Sequence, residues 1–288
     1  MFNLDDFRSD DAFLILSDME GVSGLIDDRL LSGSFWKCYG RYLLTEDVNT
    51  VASAIFSKGI RRIYLSESHN FGRNVVLEYL LPFIKVLPPH SAQTNIYGIS
   101  FWEEFYGREK ILGAIIIGFP AREGSKGFLS HPWDKKFFKY IKVNGREYGA
   151  IGLTAGLLGH YKIPLIAVIG DEAAAREAEE LIPEITTVTV KRVEKDKWIS
   201  VLPLNIARPL IFKKTLEALD KLQSIKPFQF EEPVDFIFAV KRKDYLHAID
   251  EMEGILVEGE TVRIKTASYI DAYALFWKCY MKMLFGLH

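Results

Sequence analysis

Ala12-Phe13-Leu14-Ile15-Leu16-Ser17, followed directly by Asp18-Met19-Glu20-Gly21, is the stretch of sequence that decides the fold. Its apolar residues run without alternation, which is typical of a short strand buried on both faces of a helix-covered sheet. We therefore predict a first strand at 12–17. The carboxylates of Asp18 and Glu20 should then lie at the carboxyl end of that strand.

The chain continues to about residue 200 as an alternation of predicted strands and helices. Asn144-Gly145, after the alternating run 138–143, predicts a hairpin turn. Thr45 and Asp171 are predicted helix N-caps, because their side chains can accept hydrogen bonds from the first backbone N–H groups. The alternation predicts an α/β fold with a mostly parallel sheet and helices on both faces. The predicted strands are 60–66, 112–117, 164–169 and 186–190, and the predicted helices are 45–58, 152–159 and 171–182.

After about residue 200 the pattern of elements changes. Helices are predicted at 206–222, 243–251 and 268–285, and strands at 234–240 and 261–264, with prolines in the connecting segment near 230. This mixture predicts a smaller α+β C-terminal domain. The predicted domains are therefore 1–200, which carries the site, and 201–288.

Composition excludes several classes of protein. The formal net charge is −2, which argues against a broad nucleic-acid-binding surface, although Lys191, Arg192 and Lys195 could form a local basic patch. No apolar run reaches membrane-spanning length, and an acidic N-terminus unlike a signal peptide predicts a cytoplasmic protein. Cys38 and Cys279 both lie in the pentapeptide Phe-Trp-Lys-Cys-Tyr and are expected to be buried thiols rather than a disulfide pair.

Polar residues follow three of the predicted strands at the point where each strand ends. Ligands of open α/β sheets bind beyond the carboxyl ends of the strands, so these loops define a candidate site. Carboxylates and imidazoles are ligands that suit zinc and neighbouring metals. Alone, Asp-x-Glu also occurs in solvated turns and helix caps, and a single His in ordinary turns, but their convergence at one edge favours a metal. The residues are Asp18 and Glu20, then Glu67-Ser68-His69, then Gly118 to Arg122 with Ser130-His131.

The segment Ser17 to Gly24, Ser-Asp-Met-Glu-Gly-Val-Ser-Gly, resembles the D-aminopeptidase family of zinc peptidases, of the type encoded in dipeptide-transport operons. The similarity continues through Glu67-Ser68-His69, 118–131, 152–155, 170–183 and 271–273, and so covers nearly the whole chain. The resemblance implies a metal-dependent hydrolase that removes an N-terminal D-amino acid from short peptides. It also implies a two-zinc site and a homo-oligomeric ring enclosing a channel. It assigns metal binding to Asp18, Glu20 and His69 and the active-site histidine to His131.

Two positions depart from the family pattern. Where the family has a metal-binding His, in Gly-aromatic-His-Ala-Arg, this chain has Pro120, and where it has a Glu ligand this chain has Ala150. Neither side chain can coordinate a metal, so we expect one zinc ion (Zn2+) per chain rather than two. Three ligands and an open position are the usual arrangement of a catalytic zinc. Glu123 or Glu147 could replace the missing ligands, although exposed surface carboxylates are the commoner state of Glu.

Two functional hypotheses follow. In the first, the chain is a metallohydrolase in which His131 acts as base or nucleophile, and Arg122 either holds a substrate carboxylate or forms a structural ion pair. In the second, it is a catalytically degenerate relative that binds a peptide or a partner without hydrolysis. A phosphate-ester hydrolase could use the same acidic edge, but the sequence has no phosphate-binding glycine loop of the P-loop type.

Overall fold

The computed structural model describes residues 10–87, 104–195 and 198–286. The strands within these ranges form two sheets. In chain order they are β1 (Asp11–Ser17), β2 (Arg62–Glu67), β3 (Ile84–Val86), β4 (Lys110–Ile117), β5 (Phe138–Val143), β6 (Arg146–Glu147), β7 (Leu165–Asp171), β8 (Thr186–Val193), β9 (Ile199–Val201), β10 (Val234–Val240), β11 (Ile255–Glu258) and β12 (Thr261–Thr266).

The helices lie mainly where the sequence predicts them. They are α1 (Arg41–Ser57), α2 (Ala150–His160), α3 (Glu172–Leu181), α4 (Leu204–Asp220) and α5 (Tyr269–Phe285). A turn of helix at Gly33–Phe35 and a π-helical segment at Trp36–Gly40 lead into α1, and the predicted helix near 243–251 is a 3-10 segment, Lys243–Ala248. Among the described helices, none has both the length and the apolar character needed to cross a bilayer.

The two predicted N-caps have different outcomes. Asp171 is confirmed, since its Oδ1 accepts a hydrogen bond from Ala174 N at 2.8 Å. The prediction for Thr45 is wrong, because α1 begins before it, at Arg41. The Thr45 hydroxyl instead donates a hydrogen bond to Arg41 O at 2.8 Å within the helix. Thr is compatible with such a site because its hydroxyl can bond the carbonyl four residues earlier.

The first sheet carries the predicted site. Its strand order is β3-β2-β1-β4-β7-β8-β9, and every neighbouring pair is parallel except β8 and β9. α1 packs against α4 and α2 packs against α3, and each of these helices contacts strands of the sheet. Every residue of β1 is buried, as its continuous apolar run predicts. The predicted α/β fold with a mostly parallel sheet is confirmed.

The second sheet is antiparallel and includes strands from both sides of residue 200. Its order is β11-β12-β10-β5-β6, and α5 packs against β10 and β12. The β5–β6 turn has positive φ at Asn144 (51°) and Gly145 (83°), which confirms the predicted hairpin. β5 pairs with β10, so the division between the two sheets does not coincide with the predicted boundary between 1–200 and 201–288. Strand pairing between distant segments, rather than local sequence, determines this arrangement.

The two cysteines differ in burial. Cys279 lies in α5 and is fully buried, as predicted, whereas Cys38 lies in the π-helical segment and is exposed. The prediction of a buried thiol is therefore wrong for Cys38. Its segment packs only one side against the molecule, so Phe35 and Tyr39 in the same pentapeptide are also exposed.

Candidate metal centre

Three strand ends are joined by backbone hydrogen bonds directly below the candidate site. Asp18 N donates to Ile117 O at 2.8 Å, which ties the end of β1 to the end of β4. Ser68 N donates to Ser17 O at 2.7 Å, which ties the loop after β2 to β1. The loops that carry Asp18, Glu20 and His69 are therefore held together by main-chain contacts before any side chain is considered.

Glycines allow this close approach of the loops. A Cβ atom on Gly21 would lie 2.9 Å from the Cα of Gly118, and Gly21 N donates to Gly118 O at 2.7 Å. Gly118 has φ +78°, and a Cβ there would lie 2.2 Å from Asp18 O. Only glycine fits such positions without displacing backbone. The turn after β1 thus directs both carboxylates to one side.

Asp18, Glu20 and His69 form one cluster. Their potential ligand atoms all lie within 4.8 Å of one another. His69 Nδ1 is 3.0 Å from Asp18 Oδ1 and 3.4 Å from Glu20 Oε1. The structure thus brings together the three residues that the sequence predicts as metal ligands.

The chemistry of this cluster fits a divalent cation. Glu20 Oε2 is buried and has no hydrogen-bond partner among the described residues, which is costly unless another group satisfies it. Burial, followed by the charge of Glu20, raises the pKa of Asp18 to about 7. Burial alone would lower the pKa of His69, but the Glu20 and Asp18 carboxylates outweigh it and raise that pKa to about 11. The buried carboxylate of Glu20 and the partly buried carboxylate of Asp18 therefore favour a nearby positive charge, which either a protonated His69 or a metal ion can supply.

His131 lies beside the same cluster. Its Nε2 is 3.5 Å from Glu20 Oε1, and its backbone N donates to Ala121 O at 3.1 Å. The Pro132 carbonyl contacts His131 Nδ1, and because a carbonyl can only accept, Nδ1 is the donor. Nε2 is therefore the nitrogen that can gain or lose a proton in the cleft. Burial opposes a charge on His131, but the Glu20 contact outweighs it and raises the pKa.

A cleft of about 520 Å³ opens over these side chains. Asp18, Glu20, His69 and His131 all line it, and so does Ala150, one of the two departures from the family pattern. The cleft is also lined by Trp133, Asp134, Tyr280 and Leu284. The volume suits a short peptide or another small ligand.

Arg122 and the two candidate replacement ligands do not line this cleft. Arg122 Nη1 lies 3.1 Å from Glu180 Oε2 and forms an ion pair with it in a separate surface pocket. Glu123 is exposed in a turn, and Glu147 lies in β6 of the second sheet. Neither belongs to the Asp18–Glu20–His69 cluster, so the structure does not bring Arg122, Glu123 or Glu147 to the metal centre.

The loop that carries His69 is held by Glu67, which the sequence placed in the candidate site, and by Asn70, which sequence reasoning did not identify. Both oxygens of Glu67 accept backbone hydrogen bonds, from Asn74 N and from Val75 N, so this carboxylate is structural. Asn70 adopts a left-handed conformation with φ 44° and places its amide nitrogen 3.0 Å from His69 Nε2. Asn is one of the few residues that tolerate this conformation, which could have identified the position.

The contribution of the C-terminal helix, α5, to the lining of the cleft was also not predicted. Trp133 packs edge-on against Tyr273 and Trp277 of α5, with ring centroids 6.1 and 5.8 Å apart. Tyr280 donates a hydrogen bond to Asp134 Oδ2 at 2.7 Å. α5 therefore holds the segment that directly follows His131.

The local basic patch that the net charge left open at Lys191, Arg192 and Lys195 does not include Lys191. This lysine is 2% exposed and lies beneath the loop after β1. Arg192, the next residue of β8, has a side chain that is 57% exposed, so successive side chains at this end of the strand differ in burial. The available signal was the position of Lys191 directly after the Thr- and Val-rich residues that begin β8.

Glu177 provides a prediction about the pH dependence of stability. It lies in α3, is 3% exposed, and accepts a hydrogen bond from Arg122 N at 2.6 Å. Burial raises the pKa of Glu177 from 4.5 to about 7. Between these pH values the folded chain keeps a proton that the unfolded chain has released, so this group's contribution to stability falls as pH rises and is constant above about 7.

In Glu177→Gln the side chain is neutral at every pH and its carbonyl can still accept from Arg122 N. We expect the variant to gain up to about 3 kcal/mol of unfolding free energy relative to the parent between pH 4.5 and pH 8. Urea unfolding of both chains at the two pH values measures this difference. An equal difference at both pH values would show that Glu177 does not titrate in this way.

Comparisons with known proteins were made for the whole chain. A model of peptidase family M55, described as D-aminopeptidase, matches residues 13–278. A D-aminopeptidase of Bacillus subtilis (strain 168) is 32% identical over 213 residues, which cover 73% of this chain and 74% of that protein. A solved structure described as the Zn-dependent D-aminopeptidase DppA from Bacillus subtilis, a self-compartmentalizing protease, is similar with a TM-score of 0.80. It is 24% identical, covers 95% of this chain and 96% of its own, and shows that the fold is shared.

Proposed function

The chain belongs to the D-aminopeptidase family, and on this premise we propose that it hydrolyses short peptides at an N-terminal D-amino acid with one zinc ion per chain. The observation that carries the proposal is the cluster of Asp18, Glu20 and His69, whose ligand atoms lie within 4.8 Å of one another. The buried and unpartnered Oε2 of Glu20 supports it further. Zinc dependence is also stated of the solved relative.

The residues of the cleft suit such a reaction. When bound, zinc would polarise a substrate carbonyl and lower the pKa of a bound water. His131 directs Nε2 toward the cluster, while Pro132 O holds Nδ1–H, so Nε2 can accept a proton from the attacking water and return it to the leaving amine. Trp133 and Tyr280 also line the cleft, where their aromatic rings would exclude water from around a bound peptide.

The proposal of a single ion rests on what occupies the two departing positions. Ala150 lines the cleft with a methyl group, and Pro120 is buried and has no donor atom. Glu123 and Glu147 lie outside the cleft. A second ion would therefore find no full set of protein ligands among the described residues.

We also propose a homo-oligomeric assembly, because the solved relative is described as self-compartmentalizing. A ring that encloses the cleft would admit short peptides and exclude folded proteins. The cytoplasm remains the predicted compartment.

Metal removal tests the proposed activity. The purified chain should contain about one zinc ion and should release D-alanine from a short peptide with D-alanine at its N-terminus. A chelator should abolish this release and added zinc should restore it, while the peptide with L-alanine serves as control. Absence of chelator-sensitive turnover across a peptide panel with Zn, Mn and Co would contradict the proposal.

The second candidate function is peptide binding without hydrolysis. Pro120 and Ala150 favour it, because both replace ligands that the family resemblance implies. Isothermal titration with uncleaved peptides in the presence of zinc would detect such binding. Turnover that a chelator abolishes would exclude it.

Restoring the two missing ligands gives a separate prediction. The Pro120→His/Ala150→Glu chain should bind about two zinc ions instead of one, since Ala150 already faces the cleft. Glu is also favourable at the first position of α2, where the helix dipole attracts negative charge. Metal analysis after dialysis measures the stoichiometry, with Ala150→Gln as the control. One ion in the double variant would contradict the interpretation of these positions.

A further inference from the structure

A buried lysine lies directly beneath the loop that carries Glu20. Lys191 in β8 is 2% exposed, and its Nζ lies 3.0 Å or closer to three backbone oxygens, those of Glu20, Val22 and Leu25. The three acceptors match the three N–H donors of an ammonium group. The aromatic face of Phe128, with its centroid 4.6 Å from Nζ, covers another side.

Burial of a lysine at this position costs free energy, because the charged form loses its contact with water. Burial lowers the pKa of Lys191 to about 7, although the charges of Asp171, Glu20 and Asp47 partly offset this effect. An apolar residue would avoid the desolvation cost but would leave three buried carbonyl oxygens without a donor. The need of these three carbonyl oxygens for a hydrogen-bond donor therefore explains a lysine at position 191.

The same loop is held from its other side by a buried carboxylate. Asp47 in α1 is fully buried and accepts from Ser23 N at 2.8 Å and from the Ser23 hydroxyl. Lys191 thus donates hydrogen bonds to carbonyl oxygens of the loop, and Asp47 accepts hydrogen bonds from the N–H and the hydroxyl of Ser23. Neither residue lines the cleft, so neither would touch a substrate.

Glu20 connects this support to the metal cluster. Its backbone oxygen accepts from Lys191, while its side chain lies beside His69 and His131. Loss of the ammonium would free the peptide group of Glu20 to rotate, and the carboxylate would move with it. A displacement of this kind changes coordination geometry, because ligands are positioned by the groups that support them.

We propose that Lys191 is a positioning residue of the metal centre, which fixes the Glu20–Leu25 loop so that the Glu20 carboxylate lies in coordinating geometry. The inference rests on the proposed zinc site. It predicts that Lys191 determines metal affinity and geometry in addition to stability.

The test compares Lys191→Met with Tyr269→Phe. Lys191→Met keeps the length of the side chain and removes its donors, whereas Tyr269→Phe removes a buried hydrogen bond to Leu153 O at 2.8 Å, away from the loop. At a temperature where all chains are folded by circular dichroism, zinc affinity is measured by competition with a chelating indicator. We expect zinc binding about 10- to 100-fold weaker in Lys191→Met and unchanged in Tyr269→Phe.

The Co2+-substituted proteins provide a readout that is independent of activity. The visible bands of Co2+ respond to coordination geometry, so the spectrum should change in Lys191→Met and match the parent in Tyr269→Phe. Parental affinity and spectrum in a folded Lys191→Met chain would overturn the inference while leaving the proposed function intact. A parent chain that binds neither ion would instead overturn the proposed function.

A second measurement applies if Lys191→Met does not fold. In the parent chain labelled with 15N-lysine, the buried ammonium should exchange slowly with water, unlike exposed lysines, and its resonance should shift as zinc is added. A protected ammonium resonance that does not respond to zinc would overturn the inference.

Discussion

In the His131→Ala chain we expect the rate of D-amino acid release to fall by about 10²- to 10⁴-fold while zinc remains bound. His131 Nε2 lies 3.5 Å from Glu20 Oε1 and faces the cleft, but His131 is not part of the three-residue ligand cluster. Removal of the imidazole therefore takes away a proton acceptor without removing a ligand. Steady-state kinetics and metal analysis of the same preparation measure the two effects separately.

His160→Ala is the matched control for this variant. His160 is exposed at the end of α2 and does not line the cleft, so its removal should leave kcat unchanged. An unchanged rate in His131→Ala would remove the assigned role. Loss of zinc from His131→Ala would also contradict it, because His131 would then act as a ligand.

In Glu20→Gln we expect zinc affinity to fall by more than about 100-fold, and hydrolysis to fall with it. The substitution keeps the shape of the side chain but removes one of the two negative charges of the cluster. Changes in groups that merely support metal ligands already cost about 10- to 100-fold in affinity, so loss of a charged ligand should cost more. Competition with a chelating indicator measures the affinity.

Glu177→Gln is the control for Glu20→Gln, because Glu177 is also a buried carboxylate but lies outside the cleft. It should bind zinc as the parent does. Equal zinc affinity in Glu20→Gln and the parent would show that Glu20 is not a ligand, and the proposed centre would then have to be abandoned.

The sequence is most informative where local pattern and tertiary position agree. The apolar run before Asp18 has no polar face and is short, which favours a strand within a covered sheet, and residues that follow such a strand lie at the edge where ligands of open α/β sheets bind. Asp18, Glu20 and His69 could be predicted for this reason. Asp171 could be predicted as an N-cap because its hydrogen bond to Ala174 N joins residues three apart in the chain. The same reasoning failed for Thr45, because the segment before it is also helical.

Features that depend on distant contacts could not be predicted. The pentapeptide Phe-Trp-Lys-Cys-Tyr occurs twice, yet Cys38 is exposed in a π-helical segment and Cys279 is buried in α5. Burial here depends on what packs against each helix, which local sequence does not specify. Pairing of β5 with β10 and the contact of Lys191 with the Glu20 loop likewise join residues far apart in the chain.

The contact between Lys191 and the Glu20 loop also has a consequence for biosynthesis. Asp18, Glu20 and His69 leave the ribosome early, whereas Lys191 follows Glu20 by 171 residues. At translation rates of about 5–20 residues per second, this separation corresponds to roughly 10 to 30 s. If Lys191 positions the Glu20 loop as proposed, the nascent chain presents Asp18, Glu20 and His69 well before this lysine. Tight metal binding is then expected only late in co-translational folding.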